Sequence, residues 1–311
     1  MPCLPSALSE VFPPTTKFTA EDVPDMTGKV VVVTGGNAGI GKECTKILLR
    51  KNAKVYIASR DEAKAKRAIE ELKEITGKEA LFLQLDLANL RKVKASAEEF
   101  LTKENELHVL FNNAGVMNCP VDYLTDDGYD MQFGTNVIGH FYFTKLLLPI
   151  LLSTAEKVPR GDVRVVNVAS NGHMMSDINI DTFKDSPGRR KRSTMMLYGQ
   201  SKTGNILFAN ELARRYGEQG IVSTSLNPGA IKTELQRHSG TFFNAAINVI
   251  LSDVSFGPLT QLYAGTSPET ASMNGKYFIP WARVGTPAKH AQDANSAARL
   301  WEWLEEQVKD I

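Results

Sequence analysis

The sequence predicts a single-domain α/β fold, a doubly wound parallel sheet of the Rossmann type. Three observations predict it. Apolar, β-branched runs recur between long amphipathic stretches from residue 29 onward. Those runs are continuously apolar rather than alternating, as strands covered on both faces must be. A glycine-rich turn, Thr34-Gly35-Gly36-Asn37-Ala38-Gly39-Ile40-Gly41, joins the first run to the first amphipathic stretch. Right-handed crossovers between such strands place ligands at their carboxyl ends.

Taken in order, Val30-Val31-Val32-Val33 is the first buried strand, and a helix over 39–52 follows. Strands over 54–58, 80–85, 109–111, 163–168 and 222–226 then alternate with helices over 62–75, 90–101, 129–152 and 196–216. The tail carries a strand over 276–279 and a helix over 291–308 with Trp301 and Trp303. Residues two apart do not share a helix face, so at most one of these rings is expected to face the core. Residues 1–28 read as an extension draped over the body and 29–311 as the domain, with a substrate-loop region at 228–256.

Lys and Arg number 36 against 35 Asp and Glu. That near balance excludes a global electrostatic pull toward nucleic acid or an anionic membrane. Cys3, Cys44 and Cys119 show no metal-ligand spacing and leave an odd thiol under any pairing, so no metal and a reducing, cytoplasmic setting are expected. No stretch reads as the roughly 20 apolar residues that cross a bilayer. The apolar stretch 242–251 is broken by Asn244 and Asn248 and reads as a surface-docking helix.

Between a strand and a helix, a glycine turn permits positive φ and lets a pyrophosphate approach the backbone. The helix N-terminus adds free N–H groups and the positive end of its dipole. Far downstream, Tyr198 and Lys202 lie one helical turn apart on one face. A phenol beside a cation can move a proton to or from an oxygen, because the cation favours the phenolate. The two features together point to hydride-transfer chemistry.

The glycine spacing is Thr-Gly-x-x-x-Gly-x-Gly. With Asn112-Asn113-Ala114-Gly115 after the fourth strand, Tyr198-x-x-x-Lys202, and Asn227-Pro228-Gly229 followed by Ile231 and Thr233, the chain resembles the short-chain dehydrogenase/reductase family in its single-domain form. The long gap from Ser170 to Tyr198 is similar to retinol-dehydrogenase-like and WW-domain-oxidoreductase-like members. The resemblance implies that Tyr198 is the general acid/base and that Lys202 lowers its pKa and binds the ribose. It implies that Ser170 orients the substrate oxygen and that Asn136 completes a water-linked proton route. It places the dinucleotide on Gly35, Asn37, Gly39, Ile40, Gly41, Arg60, Asp86, Leu87, Asn113, Ala114, Gly115, Pro228, Gly229, Ile231 and Thr233, besides Tyr198 and Lys202. Homodimers or tetramers are also implied.

Ser59 stands where relatives that prefer NAD carry Asp, and Arg60 follows it. Arginine's planar fork suits a phosphate dianion, and Lys64 adds charge, so NADP (as NADPH) is the expected cofactor. Arg60 pairing with Asp61, and Asp86 capping a helix, are the structural alternatives. His173 is expected behind the site or in solvent, and the run Arg189-Arg190-Lys191-Arg192 in a solvated loop. The pocket is expected from Val116, Met117, Cys119, Met174, Met195, Leu197, and the segment 235–256 with Phe242, Phe243 and Ile247. Such a lining suits an apolar or aromatic carbonyl or alcohol. A non-catalytic dinucleotide sensor that binds a protein partner is the competing reading.

Overall fold

Eight strands form one sheet among the residues described by the computed structural model, which are 9–10, 12–231 and 252–311. They are β1 (Val30–Thr34), β2 (Lys54–Ser59), β3 (Leu81–Gln84), β4 (Val109–Asn112), β5 (Val163–Val168), β6 (Ile221–Leu226), β7 (Tyr277–Ile279) and β8 (Arg283–Gly285). Their order is β3-β2-β1-β4-β5-β6-β7-β8, parallel throughout except for β8 on β7. The order reverses between β1 and β4, where Val32 pairs with both Tyr56 and Leu110. A cleft opens at such a reversal because the flanking crossovers depart to opposite faces.

The helices are α1 (Gly39–Arg50), α2 (Glu62–Thr76), α3 (Leu90–Lys103), α4 (Met131–Ala155), α5 (Thr194–Tyr216), α6 (Gly257–Thr266) and α7 (Ala294–Gln307). The valine run of β1 feeds two cores at once. Val30 and Val32 pack with α3, α4, α5 and α7, while Val31 and Val33 pack with α1, α2 and α6. A strand buried on both faces has no polar side to show, hence its continuous apolar run. Phe18, Val23 and Met26 of the extension join the second core, with the Phe18 ring edge-on to Tyr263 at 5.2 Å.

Several expectations need correction. The sequence reading lacks α6 because all ten of its residues are buried, which erases any amphipathic period. It lacks β8 because this short antiparallel strand has no apolar run. Helix α4 spans 25 residues at mean hydropathy 1.4, so by length and composition one stretch does reach what a bilayer requires. Its apolar character has another source here, since 72% of that window is buried inside the protein. The tail tryptophans divide as expected, with one in the core and one at its edge. Trp301 is buried against Phe141 at 5.0 Å, and the half-buried Trp303 meets Phe183 at 4.9 Å. Two faces of α7 are covered, one by α4 and α5 and one by the segment bearing Phe183.

Candidate active site

The turn after β1 is built to bring backbone close to backbone. Gly35 adopts φ +68°. Gly41 lies so near the Gly35 carbonyl that a side chain there would collide with it. Thr34 ties this turn to the strand beside it. Its hydroxyl accepts from Asn113 N and Ala114 N, both at 2.9 Å, and Asn113 Nδ2 donates to Thr34 O at 2.8 Å. His140 Nδ1 lies 3.0 Å from Asn136 O, which can only accept, so Nδ1 carries the hydrogen and Nε2 is an acceptor. Thr34 therefore donates to His140 Nε2 at 2.9 Å, leaving its lone pairs for the two N–H groups. Burial pushes the His140 pKa down to about 4, which keeps this tautomer neutral.

A cavity of about 730 Å³ lies along the carboxyl edge of the sheet. Its walls carry Gly35, Asn37, Gly39, Ile40 and Gly41 from the first turn, Arg60 after β2, and Asp86 and Leu87 after β3. Asn113, Ala114 and Gly115 follow β4, Ser170 follows β5, Tyr198 and Lys202 come from α5, and Pro228, Gly229 and Ile231 follow β6. The sequence-based set thus converges on one cavity, with two exceptions. Thr233 lies outside the described residues, as do the stretches 235–251 and 242–251, with Phe242, Phe243 and Ile247, and Cys3. Asn136 sits behind the wall, fully buried.

Asn136 is held where α4 widens into a π turn, Gly134–Gly139. Its Oδ1 accepts from Val116 N at 2.9 Å, and its Nδ2 donates to Val116 O at 3.0 Å and Ser201 Oγ at 2.9 Å. Those bonds occupy the carboxamide, so its side chain pins the segment after β4 to α5 instead of facing the cavity.

At the other end of the cavity, Tyr198 hydrogen-bonds Ser170, and Lys202 Nζ donates to Val168 O at 3.0 Å. The Tyr198 ring lies against Gly172, where a Cβ would come within 2.9 Å of its Cε1. Burial pushes the Tyr198 pKa up to about 12, opposed by the Ser170 bond, and pushes Lys202 down to about 7. Burial, rather than Lys202, therefore dominates the phenol and holds its pKa above the ordinary value. Both groups are buried in the cavity wall, and burial penalises the phenolate and the ammonium alike.

His173 is buried directly behind Ser170. Its Nδ1–H donates to Ser170 O at 2.6 Å, and its Nε2 accepts from Ala288 N at 3.0 Å. His290 Nε2 donates to His173 O at 2.9 Å. The tail segment after β8 thus braces the serine. Of the basic run, Arg189 is not solvated. It is 1% exposed, pairs with Asp130 at 3.0 Å and donates to Tyr123 O at 2.9 Å. A nearby carboxylate and a carbonyl offered it a better place than water. Val116, Met117 and Met195 line the cavity as expected; Cys119, Met174 and Leu197 do not.

The end of the cavity beside β2 carries charges of both signs. Asp61 spends its carboxylate capping α2, accepting from Lys64 N at 2.9 Å, and does not pair with Arg60. Arg60, Lys64 and Arg67 all line the cavity, as does Glu71, whose carboxyl is held below its ordinary pKa mainly by Lys42 and in part by Arg67. Arg67 escaped the sequence reading, although its i+3 spacing from Lys64 places it on the same face. Asp86 does not cap α3, a task taken by Asn89; its Oδ1 accepts from Ala88 N at 3.2 Å. Ser59 Oγ is buried without a hydrogen-bond partner at the end of β2. A hydroxyl without a partner in the wall of a cavity that also carries cations fits a bound nucleotide.

A Rossmann-type sheet whose carboxyl edge opens on a dinucleotide-sized cavity, with a tyrosine and lysine buried at one end, defines an oxidoreductase of the NAD(P)-binding kind. The sequence profile of the family described as short chain dehydrogenase matches residues 29–184. A short-chain dehydrogenase/reductase of Armillaria gallica is 56% identical over 305 residues, covering 98% of each chain. A solved structure of an uncharacterized protein from Mycobacterium paratuberculosis has a TM-score of 0.73 at 31% identity, over 94% of this chain and 98% of that one. The 3-ketoacyl-(acyl-carrier-protein) reductase of Brucella melitensis, complexed with NADH, has a TM-score of 0.64 at 26% identity, over 82% and 96%. The chain belongs to the short-chain dehydrogenase/reductase family.

Proposed function

We propose that the protein is an NADPH-dependent carbonyl reductase, reversible as an alcohol dehydrogenase, acting on an apolar or aromatic substrate. The observation that carries this reading is the joining of the glycine turn and the Ser170–Tyr198 pair in one cavity. A bound nicotinamide supplies the hydride; the chain's own residues handle the proton. Ser170 presents a hydroxyl where the carbonyl oxygen must sit and steadies the charge that develops there. Tyr198, with its pKa pushed up to about 12, stays protonated at neutral pH, the state needed to give a proton to that oxygen. Lys202, drawn down to about 7, can hold or release a proton near neutrality and resupply the phenol. Asn136 acts as a positioning residue, holding Val116 and Ser201. Met117 and Met195 supply an apolar wall.

Preference for NADPH is supported by Arg60, Lys64 and Arg67 lining the same cavity as Ser59. Its test is a nicotinamide-fluorescence titration of NADPH and NADH on wild type and Arg60→Asp. The substitution is expected to weaken NADPH by roughly tenfold or more, the size of a charge-assisted bidentate bond, while sparing NADH. An unchanged preference would remove Arg60 from the account. A dinucleotide sensor without turnover has no use for a buried Tyr/Lys pair, and turnover with a panel of aldehydes, ketones and quinones separates the two readings.

A further inference from the structure

The residues N-terminal to the fold reach the turn that follows β6. Glu10 is 1% exposed, and its Oε2 accepts from Asn227 Nδ2 at 2.9 Å and from Tyr277 OH at 3.4 Å. Its other carboxylate oxygen is buried without a hydrogen-bond partner. Arg283 grips the adjoining residue, donating to Ser9 O at 2.8 Å and Ser9 Oγ at 3.1 Å, while its Nε holds Pro280 O at 2.8 Å. A carboxylate this far from water is costly unless its bonds are kept.

What Glu10 holds is the turn that follows β6. The Asn227 carboxamide is divided between two tasks: Nδ2 binds Glu10, and Oδ1 accepts from Gly229 N at 3.0 Å. The Glu10 bond therefore fixes which way the carboxamide faces, so that its oxygen and not its nitrogen meets Gly229 N. Gly229 in turn sits at φ +94° against the Trp281 ring, so the turn has little freedom to choose another path. Pro228, Gly229 and Ile231 form the cavity wall on this side, remote from the Arg60 end. The family profile begins at residue 29, so the arm lies outside it.

We propose that the N-terminal arm is a clasp on the cofactor site, in which Glu10 is a positioning residue that sets the Asn227-Pro228-Gly229 turn against the nicotinamide half of the dinucleotide. The proposal rests on the reading of the cavity as a dinucleotide site. It separates the two halves of the ligand. Loosening the turn weakens a ligand that reaches it and spares one that occupies only the Arg60 end.

The test uses the full chain and two probes, NADPH and the fragment 2′,5′-ADP, titrated by calorimetry. Glu10→Ala is expected to raise the NADPH dissociation constant roughly tenfold, as loss of one buried charge-assisted hydrogen bond would, with 2′,5′-ADP affinity unchanged. Glu10→Gln, which keeps an acceptor for Asn227, is expected to restore NADPH binding. Arg283→Met releases Ser9 without touching the cavity and is expected to reproduce the selective loss; it carries the test if Glu10→Ala does not fold. Equal weakening of both probes, or of neither, would overturn the clasp. Wild-type protein that binds neither probe would instead remove the dinucleotide reading, and the clasp with it.

Discussion

His140 and His173 are each wired so that only the neutral ring fits. In both, Nδ1–H is spent on a carbonyl and Nε2 must accept, from Thr34 in one case and from Ala288 N in the other. Burial lowers both pKa values to about 4 from the ordinary 6.5. An unfolded chain takes up these protons near pH 6.5, the folded one only near 4. Their contribution to stability is therefore complete above pH 6.5, declines as pH falls from 6.5 toward 4, and declines no further below that. The loss is on the order of 3 kcal/mol for each ring. Denaturant unfolding across this window should show that slope, and His173→Asn should flatten part of it. A slope identical in wild type and variant would show that His173 takes up its proton alike in both states. A place behind the site was one of the two expected for His173, but neither ring's bonding was legible in sequence, because a lone histidine carries no sign of its partners. Tyr198, Ser170 and the glycines were legible because motif spacing fixes where backbone and phenol must stand.

At the scale of elements, strands and long amphipathic helices were readable wherever one period dominated. The reading failed where burial is complete, as in α6, or where one charged residue leaves its neighbours, as in Arg189. That residue locks the segment between β5 and α5 onto the start of α4, since Asp130 Oδ1 also caps α4 at Gln132 N and Phe133 N. Gln132 then bridges Asn118 N at 2.7 Å and Thr194 O at 2.8 Å, next to the cavity residues Met117 and Met195. Burial raises the Asp130 pKa despite the arginine, so the pair is poised to become a liability if one partner goes. Arg189→Met should cost about 3–5 kcal/mol of stability in urea unfolding, as loss of one half of a buried ion pair does. Arg190→Met, on an exposed neighbour, should cost less than about 1 kcal/mol. Equal, small effects would return Arg189 to the solvated loop that the sequence suggested.

For the whole molecule, the sheet order is what brings distant residues together. The reversal between β1 and β4 lets the first turn, the β4 end and α5 face one cavity, although Gly35 and Tyr198 are far apart in the chain. The tail closes the arrangement from behind, with Ala288 and His290 bracing Ser170 through His173 and the arm at Glu10 bracing the turn after β6. Such bracing comes from chain segments with no motif, which is why fold and cleft could be read in advance while the supports could not. The central claim is that the Tyr198 phenol supplies the proton in that cleft. Its most direct measurement is NADPH oxidation by Tyr198→Phe with an aldehyde or ketone that wild type reduces, alongside NADPH titration of both proteins. The account predicts turnover lower by about 10²–10⁴, with dinucleotide affinity changed little. Turnover equal to wild type by a variant that binds NADPH normally would contradict it.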